Sequence, residues 1–229
     1  MNPPTSAPPR AVLFDAYGTL FDVYSIGALA ERLYPGDGER LSLVWRDKQI
    51  EYSRLRSMSG QYRPFWDVTH DALRFAVLRL GLPVDGGREA QLMDQYRRLD
   101  AFPENLSVLQ TLKQRGVRAG VLSNGDPEML REVVQHAGFA PWLDPLLSVQ
   151  PTARFKTDPA TYALGPAALG LRAAEILFVS SNGWDAIGAT WFGYTTLWVN
   201  RAAAPLEQLG TEPTRIGTSL RDVLEFFPS

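Results

Sequence analysis

The hydrophobic pattern opens with an unbroken apolar run, Ala11-Val12-Leu13-Phe14, and Asp15 follows it directly. A run of this kind is typical of a strand that is buried on both faces, as strands in parallel sheets are. Gly18 indicates a tight turn soon afterwards. We therefore predict a central strand over 10–14 with Asp15 at its carboxyl end, the edge at which open α/β sheets bind ligands.

The pattern changes to helical periodicity over 22–98, where no stretch is typical of a strand. Five apolar residues are predicted to share one buried face of a helix in this segment. They are Leu41, Val44, Trp45, Tyr52 and Leu55. A helical insertion directly after the first strand suggests a cap subdomain that lies over the strand ends.

From residue 101 onwards, helical and extended patterns alternate. We predict strands over 117–122, 145–149, 176–179 and 195–199, and helices over 105–114 and 220–227. Asp-Pro pairs at 126–127 and 158–159 predict two further helix starts, with Asp as the cap. The alternation predicts an α/β fold, a Rossmann-like parallel sheet flanked by helices. The expected division is a flexible arm (1–9), a core (10–21 and 99–229) and a cap (22–98).

Composition narrows the class of protein. The chain has 229 residues, of which 45% are apolar, so it can bury a large core. Its net charge of −2 gives no reason to expect nucleic acid or a membrane as a partner. It has no cysteine, which excludes disulfides and a thiol nucleophile and fits a cytoplasmic location. The first ten residues contain four prolines and are not expected to be a signal peptide.

Polar side chains follow three of the predicted strands. Asp15 follows the first, Ser123-Asn124 the second and Ser180-Ser181-Asn182 the fourth, with Lys156 and Asp185 close by in the sequence. Each has an ordinary explanation, because Ser and Asn commonly satisfy turns and a lysine commonly lies on the surface. Their convergence on one edge of the sheet instead favours a nucleophilic site.

Four motifs resemble those of the haloacid dehalogenase superfamily. They are Asp-x-Tyr-Gly-Thr-Leu at 15–20, Leu-Ser-Asn-Gly at 122–125, the lysine at 156 and Val-Ser-Ser-Asn-x-Trp-Asp at 179–185. Tyr-Pro-Gly at 34–36 and Trp-Arg-x-Lys-Gln-x-Glu-Tyr at 45–52 are similar to the (S)-2-haloacid dehalogenases. The resemblance implies hydrolysis of short (S)-2-haloacids to (R)-2-hydroxy acids, with water as the second reactant, no cofactor and a homodimeric enzyme.

The resemblance also implies roles for individual residues. Asp15 is the nucleophile that forms an ester with the substrate, and Asp185, Lys156 and Asn182 activate the water that hydrolyses it. The remaining residues implied as catalytic are Thr19, Ser180 and Tyr162. The substrate carboxylate is expected at Thr19, Ser123 and Lys156, and the halide at Arg46 and Asn124. The apolar wall is expected from Tyr17, Ile50, Phe65 and Trp184.

Two positions argue against the phosphatase branch of the superfamily. Tyr17 lies where phosphatases carry a second acid, and Ser181 lies where they carry an acidic metal ligand. Mg²⁺ prefers anionic oxygen ligands, so we expect no metal site. Two alternatives remain open: a phosphatase, which would depend on Mg²⁺, and a non-catalytic module that binds small carboxylates, which would tolerate Asp15→Asn.

Three residues depart from the family pattern. Thr157 replaces the usual proline after Lys156 and is expected to loosen that loop, while Pro166 is expected to break or kink the helix that carries Tyr162. Asp47 is expected to draw the neighbouring Arg46 away from the halide. We expect the first two changes to alter the rate without abolishing the reaction, because neither removes a reacting group, and the third to bear on the halide preference.

Overall fold

A single parallel sheet organises the computed structural model, which describes residues 8–228; the part of the expected arm at 1–7 lies outside the described residues. Every neighbouring pair of strands is parallel, and their order is β3-β2-β1-β4-β5-β6. The strands are β1 (Ala11–Phe14), β2 (Arg118–Ser123), β3 (Leu146–Ser148), β4 (Ile176–Ser180), β5 (Thr195–Val199) and β6 (Arg215–Gly217). The predicted α/β fold is confirmed.

Strand β1 lies at the point where the strand order reverses. It pairs with β2 on one side and with β4 on the other, so that Phe14 lies opposite both Val121 and Val179. The backbone N–H of Asp15 continues the ladder by donating to the Val179 carbonyl oxygen at 2.9 Å. All four residues of β1 are buried, as the unbroken apolar run predicted. A crevice at such a reversal is where open α/β sheets place ligands.

Helices cover the sheet and fill the segment between β1 and β2. That segment contains α1 (Gly27–Leu33), α2 (Gly38–Ser59), α3 (Phe65–Arg79) and α4 (Gly86–Tyr96), with α2 packed on α1 and α3. Later helices alternate with strands and are α5 (Asn105–Gln114), α6 (Pro127–His136), α7 (Pro159–Tyr162), α8 (Leu164–Leu169) and α9 (Gly183–Phe192). No helix within residues 8–228 has the length and apolar character needed to cross a membrane.

The buried face of α2 differs from the prediction at its C-terminal end. Leu41 and Trp45 are buried as predicted, but Leu55 is 51% exposed. Gln49 and Ser53 are buried instead. Both line a cavity at the carboxyl edge of the sheet, so this face of the helix contacts polar groups that an apolar periodicity does not reveal.

Asp126 caps a helix other than its own. It immediately precedes α6, as predicted, but makes no side-chain cap bond to that helix. Its carboxylate instead accepts hydrogen bonds from the backbone N–H groups of Phe65 at 2.9 Å and Trp66 at 2.8 Å. Two orphan donors at the start of α3 are thereby satisfied by a residue of the turn between β2 and α6. This contact joins α3 to the sheet and places Phe65 beside the cavity.

Two elements near the C-terminus differ in detail from what the sequence predicted. The short edge strand β6 was not predicted, because its three residues carry no buried apolar alternation. The segment Leu220–Phe226 is a 3-10 helix and not an α-helix. Pro166 lies in the first turn of α8, directly after α7 ends, so the predicted break divides the segment into two short helices. Proline is tolerated in a first turn, where the backbone N–H groups have no partner within the helix.

Candidate active site

Asp15 is buried at the end of β1, and side chains from three other positions donate to its carboxylate. Lys156 Nζ donates to Oδ1 at 2.9 Å, while Asn182 Nδ2 at 2.9 Å and Thr19 Oγ1 at 3.0 Å donate to Oδ2. Only 6% of Asp15 is exposed. Three donors hold this buried carboxylate in a fixed orientation, which a directed nucleophile requires.

Lys156 lies between two acids. Its ammonium also donates to Asp185 Oδ2 at 3.0 Å, and the lysine is only 1% exposed. Burial acts to lower the pKa of Lys156, but the charges of Asp15 and Asp185 outweigh burial and raise it. The ammonium therefore stays protonated at neutral pH and compensates both carboxylates.

The loop that carries Lys156 is fixed from two directions despite the proline-to-threonine departure. The backbone N–H of Lys156 donates to Asn124 Oδ1 at 2.9 Å. The preceding N–H, of Phe155, donates to Ser57 Oγ of α2 at 3.0 Å. These two bonds hold the loop immediately before Thr157, the residue that was expected to loosen it. The sequence did not reveal them.

Asp185 is fully buried in the first turn of α9. The hydroxyl of Tyr162 donates to Asp185 Oδ1 at 2.7 Å, and Lys156 occupies the other oxygen. Burial, assisted by Asp15 and opposed by Lys156, raises the pKa of Asp185 above its usual range. Each carboxylate oxygen can accept two hydrogen bonds and has one side-chain donor among residues 8–228, so a lone pair on each remains for water. A carboxylate with a raised pKa is a stronger base.

A turn after β4 holds Thr19 and Asn182 in place. The backbone N–H of Ser181 donates to Thr19 Oγ1 at 2.8 Å, which leaves the Thr19 hydroxyl proton for Asp15. The backbone N–H of Asn182 donates to Ser180 Oγ at 3.1 Å. Ser180 thus shapes this turn, while Thr19 and Asn182 contact the carboxylate of Asp15 itself.

A cavity of about 20 Å³ opens beside Asp15, between α2, α3 and the sheet edge. Seven of the nine residues predicted to bind substrate or halide line it, together with Asp15 and Asn182, whereas Thr19 and Lys156 contact the carboxylate of Asp15 but do not line the cavity. The seven are Tyr17, Arg46, Ile50, Phe65, Ser123, Asn124 and Trp184. A cavity of this volume has room for about one water molecule.

Arg46 reaches this cavity from α2. It donates to Asn182 Oδ1 and the Tyr17 carbonyl oxygen, both at 3.1 Å, and to Gln49 Oε1 at 2.7 Å. Asp47 is exposed and is not among these partners, so the expectation that it draws Arg46 away is wrong. Adjacent residues on a helix do not face each other, which is the physical reason.

Tyr17 forms an uncharged wall of the cavity. Its ring centroid lies 5.8 Å from that of Phe65 and 5.4 Å from that of Tyr96. Its hydroxyl is buried with no hydrogen-bond partner among residues 8–228, and burial raises the pKa well above the usual value for tyrosine. Tyr17 therefore cannot supply the anionic oxygen that a divalent cation would require.

Two cavity residues, Gln49 and Ser53, were missed in the sequence. Both are polar residues on a helix, and both are buried. Gln49 lies three positions after Arg46, the spacing at which side chains on a helix meet. That spacing could have indicated from the sequence that Gln49 contacts Arg46.

The acids of the site are not arranged as a metal centre. Within the described range 8–228, no group of three or more His, Cys, Asp or Glu side chains is placed to hold a metal ion. The ammonium of Lys156 instead lies within 3.0 Å of both Asp15 and Asp185. A protein cation thus occupies the place between the two acids.

Known proteins are similar to this chain in both sequence and fold. A family model described as haloacid dehalogenase-like hydrolase matches residues 9–193. An (S)-2-haloacid dehalogenase from Pseudomonas sp. (strain YL) is 45% identical over 218 residues, which are 95% of this chain and 94% of that protein.

Solved structures agree with the sequence comparison. A crystal structure of an L-2-haloacid dehalogenase superimposes with a TM-score of 0.95 at 54% identity, covering 97% of this chain and all of that one. The L-2-haloacid dehalogenase from Xanthobacter autotrophicus, with chloropropionic acid covalently bound, gives 0.89 at 38% identity and covers 95% and 97% of the two chains. This chain belongs to the haloacid dehalogenase-like hydrolases, and within them to the (S)-2-haloacid dehalogenases.

Proposed function

We propose that this protein hydrolyses short (S)-2-haloalkanoic acids to (R)-2-hydroxy acids and halide without a metal ion. The observation that carries the proposal is the buried carboxylate of Asp15, which faces a small cavity and is held by Lys156, Thr19 and Asn182. The relatives named above are dehalogenases of the same substrate class.

The first step is displacement at carbon. An oxygen of Asp15 attacks C2 from behind the carbon–halogen bond, a C2–O bond forms, and the halide leaves with the bonding electron pair. C2 is inverted, and an ester joins it to Asp15. The covalently bound chloropropionic acid in the Xanthobacter autotrophicus relative supports an intermediate of this kind.

The second step is hydrolysis of that ester. Water attacks the carboxyl carbon of Asp15, and the bond between that carbon and the ester oxygen breaks. The ester oxygen stays on C2 and takes up the proton that Asp185 receives from the water, which gives the hydroxyl group of the product, so the C2–O bond is not broken and the inverted centre is kept. Asp185 takes the proton from the water, with Lys156 and Asn182 orienting it. The fully buried position of Asp185 and its hydrogen bonds from Tyr162 and Lys156 support the role of base.

The cavity divides into an anion side and an apolar side. We assign the substrate carboxylate to Thr19, Ser123, Lys156 and the backbone after Asp15, and the departing halide to Arg46 and Asn124. A halide needs positive charge and hydrogen-bond donors in a dry site, and Arg46 supplies the charge. The alkyl group then contacts Tyr17, Ile50, Phe65 and Trp184, all of which line the cavity.

Halide release from the two enantiomers of 2-chloropropionate, with excess EDTA present, tests the proposal. We expect chloride from the (S) form only. EDTA should not change the rate, because the ammonium of Lys156, and not a metal ion, compensates the charges of the two acids. Release of phosphate from a phosphomonoester that begins on addition of Mg²⁺, with no chloride from either enantiomer, would instead identify a phosphatase.

The pH dependence of turnover tests the role of Asp185. Asp185 must be ionised to accept a proton, and burial raises its pKa. We expect kcat to fall with decreasing pH at a value above that of an ordinary aspartate, about 3.9. The hydrogen bond from Tyr162 lowers this pKa, so Tyr162→Phe is expected to move the acid limb of the profile to higher pH. An unmoved acid limb in this variant would exclude Asp185 as the titrating base.

We also propose that residues 22–98 form a cap subdomain on a core of 10–21 and 99–229. Its helices pack on one another and contribute Arg46, Ile50 and Phe65 to the cavity. Opening of this cap would admit the substrate to a cavity that is otherwise small.

A homodimer in the cytoplasm completes the proposal. Four large apolar residues of α2 and α3 are exposed. Their exposed fractions are 45% for Leu43, 51% for Leu55 and 84% for Met58 in α2, and 60% for Leu78 in α3. Apolar side chains with this much exposed surface favour contact with a second copy of the chain. Sedimentation of the purified protein would give the number of copies. The cytoplasmic location rests on composition alone.

A further inference from the structure

A chain of buried hydrogen bonds runs away from Arg46 into the helical segment. Gln49 Oε1 accepts from Arg46 Nη1 at 2.7 Å and from the Tyr96 hydroxyl at 3.1 Å. Gln49 Nε2 donates to Thr69 Oγ1 at 2.7 Å, and Thr69 Oγ1 donates to the Phe65 carbonyl oxygen at 2.7 Å. Gln49 and Thr69 are both at least 99% buried, so water does not substitute for these partners.

The chain has a fixed direction. The Thr69 hydroxyl has one proton, and it is given to the Phe65 carbonyl, so Thr69 presents only a lone pair to Gln49. Gln49 must therefore turn its NH₂ group towards Thr69 and its oxygen towards Arg46. The reversed amide would place its NH₂ group against the Arg46 guanidinium, where donor meets donor.

The orientation of the Gln49 amide determines which N–H groups of Arg46 are already hydrogen-bonded. A guanidinium has five N–H groups. Three hydrogen bonds, to Gln49, the Tyr17 carbonyl and Asn182, account for its partners within residues 8–228. Two N–H groups remain for an anion in the cavity that Arg46 lines. The bond to Gln49 is the shortest of the three.

We propose that Gln49 is a positioning residue that acts through Arg46, and that Thr69 sets its orientation. The inference rests on the proposed function, in which Arg46 receives the halide. It adds that halide affinity and leaving-group preference depend on Thr69, a residue that does not line the cavity.

Thr69→Val and Thr69→Ser form a matched pair of test variants. Valine keeps the size of the side chain but removes the acceptor for Gln49, while serine keeps the hydroxyl. We expect Thr69→Val to weaken bromide binding about tenfold, the scale of one hydrogen bond to a charged group, and Thr69→Ser to bind as the wild type does. Bromide binding is measured directly by calorimetry on the full chain.

The preference for one halide leaving group over another is a second measurement. It would not change if Thr69 only stabilised the fold. Chloride is the poorer leaving group, so Thr69→Val is expected to lose more kcat/KM with 2-chloropropionate than with 2-bromopropionate. An equal loss with both substrates, or wild-type bromide affinity in Thr69→Val, would overturn the inference.

Gln49→Met keeps the test informative if Thr69→Val fails to fold. It removes the acceptor for Arg46 itself and is expected to weaken bromide binding at least as much. Adding Thr69→Val to Gln49→Met should cause no further loss, because Thr69 then has no amide to orient. Wild-type protein that binds bromide but hydrolyses no haloacid would overturn the proposed function alone. Wild-type protein that binds no bromide would overturn this inference.

Discussion

Asp15→Asn is expected to abolish halide release from (S)-2-chloropropionate. The carboxamide keeps the size of the side chain and an oxygen that accepts from Lys156, so the fold should be preserved. Its oxygen is neutral and does not displace a halide. We expect a loss of at least about 10⁴-fold in kcat, the scale on which enzymes lose activity with their nucleophile. Chloride release under substrate saturation measures it.

Asp47→Asn is the matched control for this substitution. It makes the same chemical change at an exposed aspartate beside Arg46, and its activity should equal that of the wild type. Substantial halide release by Asp15→Asn would contradict the nucleophile assignment. If the wild type binds haloacids without turnover and Asp15→Asn binds them equally well, the protein is a carboxylate-binding module.

A single turnover in ¹⁸O-labelled water separates the covalent route from direct attack by water. In the covalent route, water adds to the carboxyl carbon of Asp15, so the label enters the protein. In direct attack on C2, with Asp15 only as a base, the label enters the hydroxy acid. We expect the mass of the peptide containing Asp15 to increase.

Lys156→Met is expected to remove activity and a large part of the stability of the fold. The substitution leaves Asp15 and Asp185 buried without the ammonium that lies within 3.0 Å of both. Breaking a buried ion pair in this way costs about 3–5 kcal/mol. We expect the free energy of unfolding, measured with urea at neutral pH, to fall by that amount.

The pH dependence of this stability loss has a definite sign. The folded-state pKa of Lys156 is raised, because the two acids outweigh burial. Its contribution is therefore fully present below the unfolded pKa of about 10.4 and is lost as the pH rises through the higher folded value. The stability difference between wild type and Lys156→Met should accordingly shrink in strong alkali.

A double variant and a surface control identify the cause of the loss. Asp15→Asn in the Lys156→Met background removes one of the two uncompensated charges and should restore part of the stability. Lys113→Met removes an exposed lysine of α5 that donates to the Pro141 carbonyl oxygen at 2.8 Å but pairs with no buried acid, and it should lower the free energy of unfolding by no more than about 1 kcal/mol. A Lys156→Met protein as stable as the wild type would show that the acids do not need the ammonium.

The fold was predictable because its signal is local. The run from Ala11 to Phe14 is apolar without interruption, and that pattern is typical of a strand buried on both faces. The same rule places Asp15 at a sheet edge beside the residues that follow β2 and β4. Sequence thus determined the architecture and, through motifs that resemble a known family, the chemistry of the reacting residues.

Only the tertiary structure decided how the surrounding groups are used. Asp126 precedes α6 but caps α3, and Gln49 is buried against Thr69 and Arg46. Polar side chains at helix positions are ordinarily solvated, and the choice of partner depends on elements up to 61 residues away along the chain. Periodicity records which residues avoid water, whereas the direction of a hydrogen bond depends on which groups the fold brings within 3 Å of each other.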